Sequence, residues 1–86
     1  MDEVEIRERL TKIVADIFKV DTKTLTGSTR FIQDLNARSL TLTALVAAVE
    51  TDFQITTTAR ETNQNKTIDE TVDYIRRKLV SGVANS

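Results

Sequence analysis

Asp34-Leu35-Asn36-Ala37-Arg38-Ser39-Leu40-Thr41-Leu42-Thr43-Ala44-Leu45-Val46-Ala47-Ala48-Val49 decides how this chain folds. A polar, turn-forming start gives way at Ser39 to a strongly apolar run. Leu42, Leu45, Val46, Val49 and Phe53 recur at intervals of three and four, which predicts a buried helix from about Ser39 to Phe53. Thr41, Thr43, Ala44, Ala48 and Thr51 fall on its other face, small and uncharged. That pattern suits close approach by another protein as well as simple cover by this one. Ser39 stands where an N-cap belongs, since a hydroxyl there accepts an orphan N–H of the first turn. Asn36, just ahead of it, is one of the few residues that tolerate a left-handed backbone.

Working outward, Asp2 to about Phe18 reads as an amphipathic helix. Ile6, Leu10, Ile13, Val14 and Ile17 make its apolar stripe, and Asp2 with Glu5 forms its start signal. Lys19 to Arg30 has no sustained period and forms a long loop, which Val20 and Leu25 are expected to pin to the core. Phe31 and Ile32 mark the return of the chain to the interior. Between Ile55 and Ile68 apolar residues almost vanish, so a third helix there is expected to be short and weak. Thr67-Ile68-Asp69-Glu70 is a capping box for a last helix with Ile68, Val72, Ile75 and Leu79 as its stripe. Ser81 to Ser86 is expected to be a disordered tail. With no strand to build a sheet, the predicted fold is a single all-α domain spanning 1–86. It is a small four-helix bundle centred on Phe31, Leu45, Val49, Phe53, Val72 and Tyr74 or Ile75.

Composition excludes much. Among 86 residues there is neither cysteine nor histidine, which removes disulfides, thiolate and imidazole metal sites, and the Ser-His-Asp arrangement. A net charge of −1 leaves no footprint for nucleic acid. The one basic run, Arg76-Arg77-Lys78, complements the end of the last helix. No segment is long and apolar enough to span a bilayer, and Met1-Asp2-Glu3 lacks the basic start of a signal peptide. The expected compartment is the cytoplasm, and the expected state a monomer.

Phe31-Ile32-Gln33-Asp34-Leu35, then Ser39-Leu40, Leu45-Val46, Glu50 and Asp52-Phe53-Gln54-Ile55 together resemble the acyl carrier protein family, from about Glu5 to about Leu79 without a gap. The resemblance implies a helical bundle that is not an enzyme. It implies covalent 4′-phosphopantetheine, taken from coenzyme A, on Ser39, and a terminal thiol holding acyl groups as thioesters. The implied pathways are fatty-acid, polyketide or specialised lipid biosynthesis. The implied partners are a phosphopantetheinyl transferase and acyl-loading and acyl-processing enzymes. They would dock on Arg38, Leu40, Thr41, Ala44 and Glu50, and the acyl chain would lie among Phe31, Leu45, Val46, Val49, Phe53, Ile68, Val72 and Ile75. The family most often has an acid where this chain has Arg38, and further acids where it has Thr41 and Ala44. That points to a specialised carrier with its own enzymes. A peptidyl or aminoacyl carrier is an alternative, weakened by the missing glycine-rich approach to the serine. An unmodified helical interaction module, with Ser39 as a cap only, is another.

Overall fold

A computed structural model describes residues 1–84 of the chain. Its first helix, α1, spans Glu3–Phe18 and starts where the side-chain chemistry says it should. The Asp2 carboxylate accepts the Glu5 N–H at 2.9 Å, satisfying one orphan donor of the first turn. Ile6, Leu10 and Val14 are completely buried along one face. The helix stops at Lys19, whose left-handed backbone (φ 57°) lets its N–H bond back to the Ala15 carbonyl.

The long connection that follows is irregular but well tied. A 3₁₀ turn at Thr22–Thr24 is capped by Asp21, which accepts the Lys23 N–H at 2.8 Å. Leu25 packs against the core as expected; Val20 is half-buried and outside the core cluster. Further along, the loop is stitched to the start of the last helix by backbone hydrogen bonds. Phe31 N–H donates to the Lys66 carbonyl (3.0 Å), Ile68 N–H to Thr29 (3.2 Å), and Asp69 N–H to Gly27 (2.9 Å). A single antiparallel bridge, Arg30 to Thr67, results, and no sheet is built among the described residues. Gly27 lies close under the Asp69 carboxylate, which would have to swing aside for a Cβ there. That carboxylate is held 2.7 Å from the Arg7 guanidinium.

Three more helices complete the bundle: α2 at Ser39–Phe53, α3 at Ala59–Gln64 and α4 at Ile68–Ala84. The Thr67 capping box forms, with Glu70 N–H on the Thr67 hydroxyl (3.2 Å) and Thr67 N–H on the Glu70 carboxylate (3.1 Å). α1 packs against both α2 and α4, while α3 leans on α2. Leu45, Val49 and Phe53 from α2 and Ile68, Val72 and Ile75 from α4 join the α1 stripe and Phe31 in one buried cluster. The Phe31 ring stacks on Phe18 with centroids 6.4 Å apart.

Three expectations need correction. Ile32 does not enter the core: at 59% exposure it faces outward, because the turn after Arg30 directs only Phe31 inward. Val46 is half-buried and outside the core cluster, since α2 buries positions 45, 49 and 53, a stripe of strict four-residue spacing that leaves 46 on its flank. The last helix continues to Ala84 rather than fraying from Ser81. Of the expected tail, Asn85 and Ser86 lie outside the described residues.

Candidate functional site

The approach to Ser39 is a compact turn held by one carboxylate. Asp34 accepts the Arg30 backbone N–H at 2.8 Å and the Arg30 guanidinium at 3.2 and 3.4 Å. The bond from the Arg30 N–H, aided by the guanidinium, holds the Asp34 carboxyl below the usual range. The spacing of four between Arg30 and Asp34 was the available sign of this pairing. Within the turn, Asn36 takes φ 56°, the left-handed geometry its side chain tolerates. Ala37 N–H then bonds to the Phe31 carbonyl at 2.9 Å, and Ala37 is buried, anchoring the chain one step before the helix.

Beyond that anchor the chain surfaces. Arg38, not Ser39, occupies the N-cap of α2, with extended backbone at φ −129°, ψ 174°. An arginine side chain has donors only and cannot cap an N–H. Thr41 compensates: its hydroxyl accepts the Arg38 N–H at 2.8 Å and lies 3.0 Å from the Arg38 carbonyl. Ser39 is therefore the first helical residue, and the expected N-cap role falls away. Its side chain is exposed, and among the described residues no protein group hydrogen-bonds its hydroxyl. Only its carbonyl is used, by the Thr43 hydroxyl at 2.8 Å. Ser39 thus offers a free hydroxyl on the first turn of a fifteen-residue helix, where unpaired N–H groups and the helix dipole favour negative charge.

Around Ser39 the surface is apolar and cationic. Leu40 is 83% exposed, Arg38, Thr43 and Ala44 are exposed, and Thr41 is half-buried. The Arg38 guanidinium pairs with no acid among the described residues. The two acids farther along α2 are spoken for. Glu50 is half-buried and accepts the Thr57 N–H at 3.1 Å, fastening the loop after α2. The Asp52 carboxylate lies 3.7 Å from the Arg9 guanidinium of α1. Contacts to Thr57 and Arg9 have no local sequence signal, so neither engagement could be read from spacing.

Of the residues expected to surround an acyl chain, Phe31, Leu45, Val49, Phe53, Ile68, Val72 and Ile75 come together as one buried cluster, and Val46 does not join it. A polar group that the sequence did not announce stands beside them. The Tyr74 hydroxyl donates to the Glu61 carboxylate of α3 and lies 2.6 Å from the Thr57 hydroxyl. Because Tyr74 has one proton and gives it to Glu61, Thr57 is the donor in that second bond. Lys78 is 3.4 Å from the same carboxylate and sits over the Tyr74 ring.

Comparison with known proteins agrees with this geometry. The family model for the phosphopantetheine attachment site matches residues 8–75, a span that includes Ser39. The chain is 33% identical over 81 residues to an acyl carrier protein of Thermosynechococcus vestitus, covering 94% of this chain and all of that one. It is also 33% identical over 76 residues to an acyl carrier protein of Lactobacillus acidophilus, covering 88% of this chain and 95% of the relative. The free hydroxyl at the positive end of α2 is chemically suited to a phosphodiester-linked group, so the residues present fit the cofactor. By its family match, its coverage of these relatives and its helical fold, the chain belongs to the acyl carrier proteins, which carry phosphopantetheine.

Proposed function

We propose that Ser39 is the attachment residue and that the chain carries acyl intermediates for fatty-acid, polyketide or specialised lipid biosynthesis, as a cytoplasmic monomer. The supporting observation is the Ser39 hydroxyl itself: exposed, unbonded, and set on the first turn of α2 inside the matched span. A phosphopantetheinyl transferase supplies the catalysis, since the chain has no histidine or cysteine to do so. The Ser39 oxygen attacks the phosphorus that bears pantetheine in coenzyme A. The bond to the adenosine bisphosphate half breaks, that half leaves with the electron pair, and the hydroxyl proton passes to a base of the transferase. When attached, the group supplies a flexible arm whose thiol holds an acyl chain as a thioester.

This chain's own contribution is placement and shelter. α2 presents the hydroxyl and stabilises the added negative charge at its N-terminus. The cluster of Phe31, Leu45, Val49, Phe53, Ile68, Val72 and Ile75 offers an apolar interior. Each acyl methylene moved into such surroundings gains about 0.8 kcal/mol.

Intact-mass measurement after incubation with coenzyme A and a broad-specificity phosphopantetheinyl transferase tests the reading. Wild type gains the mass of one phosphopantetheinyl group and Ser39→Ala gains none. A wild type inert to several transferases, with the protein folded by circular dichroism, would leave the chain a helical interaction module.

A further inference from the structure

Local physics argues against the residue at position 38. An N-cap position favours Asp, Asn, Ser or Thr, whose oxygen accepts a first-turn N–H, and the positive end of the helix favours an acid. Arg38 does neither: it has no acceptor and sets a cation at the positive pole of α2. It finds no acid among the described residues in return. Leu40, two residues on, is a large apolar side chain left 83% exposed on the other flank of Ser39. Both residues give up local stability, and both border the one hydroxyl that a transferring enzyme has to reach. They flank Ser39 in the chain, at the start of α2 that such an enzyme approaches.

The charge of this surface follows from the rest of α2. Glu50 is turned to the Thr57 N–H, Asp52 faces Arg9, and both acids stand at the end of α2 opposite Ser39. Asp34, nearer to Ser39, is paired with Arg30. What remains around Ser39 is one unpaired cation, one exposed leucine and small hydroxyl or methyl side chains.

We propose that the surface formed by Arg38, Leu40, Thr43 and Ala44 docks enzymes that present a carboxylate to Arg38 and an apolar depression to Leu40. This rests on Ser39 being the attachment residue. An acidic rim on the partner is the complement of Arg38, and a charge pair at such a rim acts chiefly on association rate. A basic docking face meets repulsion beside the reacting hydroxyl. The surface therefore selects among transferases and acyl-processing enzymes by the sign of their charge.

A charge-swap series tests it. A phosphopantetheinyl transferase with a basic docking face is compared with the same enzyme after its docking-face Lys and Arg residues are changed to Glu. Initial rates of coenzyme A-dependent modification are followed by mass across a salt series. Wild type is modified faster by the acidic-faced enzyme, by on the order of tenfold at low salt, and the difference shrinks as salt screens the charges. Arg38→Asp reverses the preference, Arg38→Lys retains it, and Leu40→Gln slows modification by the acidic-faced enzyme without reversing the preference. A reversal of preference is not something loss of folding can produce. Equal rate ratios for wild type and Arg38→Asp with the two enzymes overturn the docking assignment while leaving Ser39 as the attachment site. A wild type that neither enzyme modifies overturns both.

Discussion

At position 38 the costs and uses of a residue can be measured separately. Arg38→Asp introduces a carboxylate at an N-cap and at the positive end of α2, and should stabilise the fold by about 1 kcal/mol. For a domain of this size that raises Tm by roughly 4–8 °C, read from thermal denaturation. An unchanged or lower Tm would mean that Arg38 has a structural role after all. Ser39→Ala, by contrast, should shift stability by less than about 0.5 kcal/mol, because the hydroxyl bonds no protein group. Cap chemistry is where single-residue reading both succeeded and failed. Asp2 caps α1 and Asn36 turns left-handed as their side chains allow. Ser39 has the side chain of a cap but lies one position inside the helix, because Thr41, three residues after Arg38, supplies the hydroxyl that ties down the helix start.

Among the elements, α3 is the one whose stability the sequence left open. Six residues with few apolar side chains cannot hold themselves in water, and short helices draw stability from tertiary contacts. Here the contact is polar: Glu61 is bound by Tyr74, and Tyr74 by Thr57. The partners lie 13 and 17 residues apart, beyond any helical period, so no pattern in the chain announces them. Tyr74→Phe removes the shared hydroxyl, should cost about 1 kcal/mol, and should speed amide hydrogen exchange in α3 more than in α1. Uniform exchange rates across the helices in that variant would show that Tyr74 does not fasten α3.

The same link makes α3 sensitive to pH. The Tyr74 hydroxyl, helped by Lys78, holds the Glu61 carboxyl below its ordinary value. A depressed folded pKa means the stabilisation is present above the unfolded value of about 4.3 and is lost as pH falls through the folded one. Burial, with the bond to Glu61, pushes the Tyr74 hydroxyl up. That contribution is complete below an unfolded value of about 10 and disappears as pH rises through the folded one. Exchange in α3 should thus accelerate at acidic pH before the global acid transition, and lose that early phase in Glu61→Gln.

Across the whole molecule, the bundle depends on a few fully buried side chains in a small domain. Phe53 is 3% exposed, at the meeting of α2 with the rest of the core. Phe53→Ala should cost about 3–5 kcal/mol, enough to unfold much of the population at room temperature. An unchanged urea midpoint would contradict the packing. This core was legible because helical period and burial coincide in Leu10, Leu45, Val49, Val72 and Ile75. Ile32 was not, since burial in a turn depends on backbone direction rather than on apolarity. The most direct test of the central claim is peptide mapping of the protein after modification with coenzyme A and transferase. Fragmentation of the peptide spanning 31–60 should place one phosphopantetheinyl mass on Ser39 and leave Thr41 and Thr43 bare. The mass on any other residue, or none in a folded protein, would contradict the assignment.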